Sequence, residues 1–445
     1  MNRYRRGYAI LFIILAILIT STGGCRAPSA PSNSPAPEPT NIPTPTAPPP
    51  TPTPEATSSP TLPLLPITSL VWWTPEDHAP EPLSDALGAQ MLEQQIQAFS
   101  QQPDGLKIHV ILKKPFGKGG ILDFLRTASA AAPSVLPDLV TIHSDELAIA
   151  ARAGLLYPLD ELIPTEIQDD LFPFALQAGQ VDGQLFGVQW DADVEHLAYD
   201  GRAVATPPKT WEELLTSELT YAIPGAMVEG RVNDHFLIQY LGANGHFDLA
   251  AEPPIEETAL RRVLDFLASA RQSGRIPEFV LSLPDADACW DALVEGKVHM
   301  AQVNASRFLS ERTEFDWVRF ATTPTWDGRT ITVSHGWMLA IAARDPERRT
   351  RAAQVIAWLL RPEHVGPWTR ASHRLPTRRA ALAHWGDDDP YVPFIRRQLE
   401  TAIPRPHDES FAAISRALQW AERQVISGNA TPDQAVSEVL AEVTR

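Results

Sequence analysis

The sequence predicts an α/β body, long enough for two lobes, in which mostly parallel sheets are flanked by helices. Three observations predict it. Past residue 66, short apolar runs alternate with helix-length amphipathic stretches, the pattern of strand–helix–strand units. Residues 67–445 are ample for two cores. Ahead of them the composition changes to proline, threonine and serine, which marks where the folded part begins.

The chain opens with Arg3, Arg5 and Arg6 ahead of the apolar run Leu11–Ile19. That is the form of an export signal, short for a spanning helix. Gly23 and Gly24 precede Cys25, so residues 1–24 read as a lipoprotein signal peptide and Cys25 as the lipidated residue, although Thr22 stands where such sites usually carry Leu. An uncleaved N-terminal anchor is the alternative, and both place the body outside the cytoplasm. Residues 25–66 follow as a tether with 15 prolines. A segment this poor in large apolar residues stays extended, and as polyproline II it could reach roughly 120 Å.

Ile67–Trp73 reads as the first strand, and Ser84 as the cap of a helix presenting Leu87, Met91, Ile96 and Phe99. Leu106, Ile108, Val110 and Leu112 alternate as a strand. Then come a helix over Gly120–Ala132, a buried strand over Asp138–His143, and a helix capped by Ser144 that stops at Gly154. Later helices are expected over Pro254–Ser273, Asp345–Leu360, Asp408–Ser427 and Thr431–Val443.

Composition excludes several functions. Loss of residues 1–24 leaves 34 of the 37 basic residues against 54 acidic ones. Nucleic acid and anionic membrane surfaces are therefore not expected as direct partners. With Cys25 lipidated, Cys289 has no partner for a disulfide and reads as a small buried apolar residue. No nucleophile elbow, phosphate loop, dinucleotide fingerprint or zinc-binding helix appears, so neither a catalytic residue nor a cofactor is expected. Gly117–Gly120 reads as a flexible turn. Asp387–Asp389 lacks the spacing of a calcium loop, and no metal site is expected. An opposed pair of carboxylates cannot be picked out among 54 acids, which leaves a secreted glycan-cleaving enzyme open.

Four segments, in order, resemble a known family. They are Pro137–Val140 with Ser144–Leu147 and Ala153–Asp160; Val181–Val188 running into Trp190–Asp193 and Leu197–Tyr199; Pro207–Leu214; and Gly336–Trp337 with Leu339–Ile341, Ala357–Leu359 and Leu375–Arg378. Together they resemble the extracellular solute-binding proteins of ABC importers, in the carbohydrate-binding branch that includes maltose-binding protein. The resemblance implies a two-lobed periplasmic-binding-protein-like fold of type II, with a ligand clamped between hinged lobes. It implies an N-terminal lobe of residues 67–188 with 320–365, and a C-terminal lobe of 189–319 with 366–445. The crossings between lobes then fall near Val188–Asp193, Arg319–Thr325 and Pro362–Trp368.

A sugar presents hydroxyls around its rim and weakly apolar faces, so its cleft needs flat aromatics together with acids and amides. One of Trp72 and Trp73, at the end of the first strand, is expected to face the cleft. The resemblance places Asp145 at a sugar-binding Asp, with Ile142 and Glu146 departing from the relative's neighbouring Trp and Arg. Helix-start electrostatics explain Asp145 equally well. Trp190, Asp191 and Asp193 lie on the implied crossing. His235, beside Asn233 and Asp234, stands where the relative has a stacking Tyr, although a helix cap accounts for Asn-Asp too. Asn304 and Arg307 are candidates by position. His335, Gly336 and Trp337 open a hinge-adjacent strand, and Trp326 sits in a turn. Other tryptophans read as structural.

The resemblance implies a lipid-anchored, monomeric substrate-binding protein that captures a carbohydrate of oligosaccharide length for ABC permease subunits, with no chemistry of its own. A non-sugar solute, a sensor role and the glycan-cleaving enzyme stay open beside it.

Overall fold

Trp72 and Trp73 point to opposite faces of the strand Ser69–Thr74, and around that strand the first sheet is built. It pairs in parallel with Lys107–Leu112 on one side and with Leu139–His143 on the other. Trp337–Ile341 and Gly187–Gln189 complete five strands. Helix Leu87–Ser100 packs Leu92, Ile96 and Phe99 in one cluster with Leu70 and Trp72. Helices Ile121–Ala131 and Ser144–Arg152 bring Ile121, Leu125 and Leu147 to Trp73 on the other face. With both faces covered, both tryptophans are buried. The computed structural model describes residues 67–81, 84, 86–226, 230–249, 251–386, 388–406 and 410–444. The leader, Cys25, the tether and Asp387 lie outside the described residues.

The second sheet is organised by Asp191–Asp200, which pairs antiparallel with Met300–Asn304, Val318–Ala321, Thr332–His335 and Leu375–Pro376. Tyr221–Ala222 and Ala402–Pro404 add parallel neighbours to its edges. In both main sheets every antiparallel pair involves Asp191–Asp200 or Trp337–Ile341. The remaining pairs are parallel, as the strand–helix alternation predicts. The expected helices form with ends shifted by a few residues: Glu257–Gln272, Pro346–Leu359, Phe411–Ile426 and Pro432–Val443. The first helix starts at Leu87, past Ser84, whose hydroxyl accepts from the Ala86 N–H. Cys289 is free and buried.

The chain passes from the first sheet to the second at Trp190. It returns at Gly336 rather than at Arg319–Thr325, because Val318–Ala321 and Thr332–His335 are both still paired to Asp191–Asp200. The strand Leu375–Pro376 pairs with Asp191–Asp200, past the expected Pro362–Trp368, and residues 377–385 then turn back onto the first lobe. Helix Pro362–Ala371 still packs on Leu87–Ser100 of the first lobe. Residues 320–335 thus belong with the second sheet, and 366–374 with the first.

Asp191 fastens the crossings together. One carboxylate oxygen accepts from His78 Nε2 at 2.7 Å and lies 3.3 Å from Arg374; the other accepts from the Trp337 N–H at 3.0 Å. Burial pushes this carboxyl up, but His78, Arg374 and the Trp337 N–H outweigh it and hold it at about 2. Burial lowers His78, so at neutral pH it is an uncharged imidazole donating to a carboxylate. Alongside, Trp190 stacks on Trp368 with centroids 4.0 Å apart and planes 5° from parallel. Gly336 makes the return passage possible: a Cβ there would stand 2.2 Å from the Asp191 carbonyl oxygen. Gly336→Ala should therefore cost about 1–3 kcal/mol through forced backbone displacement, read as a lowered urea midpoint at unchanged m-value.

Candidate functional site

Between the two sheets lies a cavity of about 360 Å³. Phe116 and His143 line it from the first lobe. Phe116 stands in the turn before Gly120, and His143 ends the strand Leu139–His143. Facing them are Glu195 from the long crossing strand, Asn304 and His335 from the ends of neighbouring strands, and Arg231, Asn233 and Asp234 around the start of helix Asp234–Gly242. Arg405, just past the strand Ala402–Pro404, also lines it, with Gln419.

Both arginines of the wall are paired with carboxylates, while Asp285, which also lines it, caps the helix Ala286–Val294 by accepting from the Ala288 N–H at 2.9 Å. Arg405 meets Asp234 at 2.7 Å. Arg231 forms an ion pair with Asp145, which joins the second lobe to the first turn of helix Ser144–Arg152. His335 Nε2 lies 3.7 Å from Asp234, and its ring centroid is 5.7 Å from that of His143. Burial, with His335 and Arg231 nearby, keeps His143 well below its ordinary value and uncharged, and its Nδ1 accepts from the Asp145 N–H at 3.3 Å. Burial and the Asp234 carboxylate drive Glu195 well above the ordinary carboxyl range. Its Oε2 is buried without a hydrogen bond of ordinary geometry, and the neighbouring Gln302 side chain opposes the rise. Burial also lowers Arg231 to about 10.

Of the residues singled out in the sequence, Asn304 and His335 line the cavity, and Asp145 stands at its edge through Arg231. Trp72 and Trp73 do not reach it. Trp72 donates to Thr141 Oγ1 at 2.8 Å inside the core, and Trp73 lies edge-on to Phe124 under the Lys113 ammonium. The expectation that one would face a cleft fails because helices cover both faces of their sheet. Trp190 and Asp191 hold the crossing instead. Asp193 turns to the helix Ala305–Glu311, accepting from the Ser306 N–H at 3.1 Å and from its hydroxyl. Trp337 is buried behind the wall, 5.7 Å from Phe116 and 5.2 Å from His143.

His235 faces the core of the second lobe, 3.1 Å from Gln239 and edge-on to Tyr221, and burial lowers it to about 3. Its neighbour Asp234 takes the cavity position, since adjacent helical residues diverge by about 100°. Asn233 caps that helix, accepting from the Phe236 N–H at 2.7 Å. Arg307 is bound to Asp291 and Glu311 outside the cavity. Trp326 is 46% exposed elsewhere, against Trp211 and Arg262. Phe116, His143, Glu195, Arg231, Asp234, Arg405 and Gln419 escaped selection. Only Glu195 had a local signal, being two residues from Asp193 on the same strand face.

Among the described residues no group of three or more His, Cys, Asp or Glu could hold a metal ion, and Asp389 is bound to Arg312. Nor is any described helix long and apolar enough to cross a membrane. The cavity offers hydrogen-bond donors and acceptors of both kinds around one exposed aromatic ring.

Beneath it, Asn233 Nδ2 donates to Glu422 at 2.7 Å. Burial raises Glu422 to about 8, while the Asn233 bond opposes the rise. A raised carboxyl means the folded state holds a proton that the unfolded state gives up, so stability falls as pH rises from about 4.5 to about 8. Glu422→Gln removes that loss. Its thermal midpoint should match the parent near pH 5 and exceed it at pH 8, by the equivalent of roughly 1–3 kcal/mol.

The family model for bacterial extracellular solute-binding proteins matches residues 94–393. Among curated proteins, the maltotriose-binding protein of Pyrococcus abyssi is 30% identical over 123 residues, and the match spans only 26% of this chain and 27% of that relative. Among solved structures, the cyclic α-maltosyl-1,6-maltose binding protein of Arthrobacter globiformis superposes with a TM-score of 0.70 at 19% identity, covering 85% of this chain and 98% of the other. A solute-binding protein of Thermotoga lettingae bound with α-D-tagatose gives 0.62 at 20% identity over 85% and 99%. These likenesses carry the two-lobed fold. With its family model spanning most of the folded body, the chain belongs to the bacterial extracellular solute-binding proteins.

Proposed function

We propose that this protein captures a carbohydrate outside the cytoplasm and hands it to the permease of an ABC importer, performing no chemistry itself. The observation that carries this reading is the cavity: walls from both lobes, arginines already paired with carboxylates, and a dense set of hydrogen-bonding groups around an exposed ring. Neutral polyols need that arrangement, since each hydroxyl both donates and accepts. The names of the relatives in sequence and fold point the same way. Closure follows if the ligand makes more contacts with the closed lobes than with the open ones.

Cys25 is the proposed lipid anchor, with residues 25–66 holding the body away from the membrane. The body would act as a monomer.

Titration of the protein with mono- and oligosaccharides, followed by tryptophan fluorescence and thermal midpoint, should give a saturable change and a raised midpoint with one sugar class. Steady consumption of the bound sugar would replace this reading with a glycan-cleaving enzyme. For the anchor, Cys25→Ser should move the protein from the membrane fraction into the soluble one; retention on the membrane would leave an uncleaved apolar leader as the anchor.

A further inference from the structure

The fold holds ligands of different size in related proteins, so it does not set how much of a sugar is recognised; the walls of the cavity do. Its volume of about 360 Å³ sits at the low end of ligand pockets, which run from ~300 to ~1,000 Å³. The ion pair between Asp145 and Arg231 joins the lobes at its edge.

Stacking surface is scarcer still. A chain of sugar rings needs a flat apolar platform for each successive ring. Only Phe116, 45% exposed, presents an exposed ring to this cavity among the described residues. Trp72, Trp73, Trp190 and Trp337 are buried, and Trp326 is outside it. Polar groups, by contrast, are concentrated opposite Phe116: Glu195, Asp234, Asn304, His335 and Arg405. Both arginines of the wall already face carboxylates, Arg231 on Asp145 and Arg405 on Asp234, so the site has no cation set aside for an acidic ligand. Glu195 is 6% exposed, and its Oε2 lacks a hydrogen bond. A buried polar atom left this way costs stability until something bonds it.

Resting on the carbohydrate reading above, we infer that recognition is concentrated in one neutral sugar ring, stacked on Phe116 and hydrogen-bonded by Glu195. A longer saccharide enters by a single ring, and its remaining rings lie outside the cavity. Affinity is then set by the identity of one ring and not by chain length.

The test is calorimetric titration of the full chain with D-glucose, D-galactose, D-mannose, D-xylose, L-arabinose and D-tagatose, and with the gluco- and xylo-oligosaccharides of two and three units. One monosaccharide should saturate the protein, and lengthening the same sugar to three rings should tighten binding no more than about threefold. Phe116→Ala, in an exposed turn that leaves the cores intact, should weaken that monosaccharide by about tenfold, the value of one aromatic contact. Glu195→Ala should weaken it at least as much, with Glu195→Gln restoring part of the loss as a hydrogen-bonding group of the same shape. A tenfold or larger gain with each added ring, binding of oligosaccharides alone, or indifference to Phe116→Ala would overturn the single-ring assignment while leaving the carbohydrate reading intact. Failure of every sugar to bind would overturn both.

Discussion

The structure turns on one buried carboxylate, at which the first passages between the lobes meet. Asp191 sits where the chain first leaves the lower-numbered sheet, and it binds a side chain from the turn after the first strand, a backbone N–H at the start of the returning strand, and an arginine just ahead of the strand Leu375–Pro376. A charge this deep is tolerable because its partners are complete; removing any one would leave part of the charge uncompensated in a poor solvent. These passages between lobes are thereby held in register at a single point. Gly336 matters for the same reason, since its lack of a side chain is what lets the returning strand come close enough to donate to Asp191.

The cavity inherits its geometry from that junction. Glu195 lies four residues along the strand that begins at Asp191, and His335 lies immediately before Gly336, so both are positioned by the crossing itself. The first lobe contributes through the end of a buried strand and the turn that precedes its second described helix, where His143 and Phe116 stand. Between them both arginines are paired with carboxylates, and burial with the Asp234 carboxylate raises Glu195 well above the ordinary carboxyl range. A wall of this kind suits ligands that carry hydroxyls rather than charge.

The alternation of strands and helices was legible because it follows from period and capping, which are local. Crossings between lobes are less legible because strand partnership, which decides lobe membership, is a property of distant pairs such as Val318 with Asp200. Tryptophans misled as site markers: Trp72, Trp73 and Trp190 have the chemistry of a sugar platform, but a sheet covered on both faces spends them on its cores. His235 missed by one helical position. Arg405 and Gln419 could not have been read at all, since only the docking of the last segments beside Thr332–His335 brings them to the cavity.

The stacked pair Trp190 and Trp368 lies in an apolar cluster that runs without a break from Leu70 and Phe99 of the first lobe to Trp290, Phe308 and Tyr391 of the second. The boundary between lobes is therefore architectural and not energetic. Neither half can melt without exposing the centre of that cluster, which couples the stability of one lobe to that of the other. Relative motion of lobes joined through such a core would be of the shear kind, packed side chains sliding over one another while the interior stays closed to water.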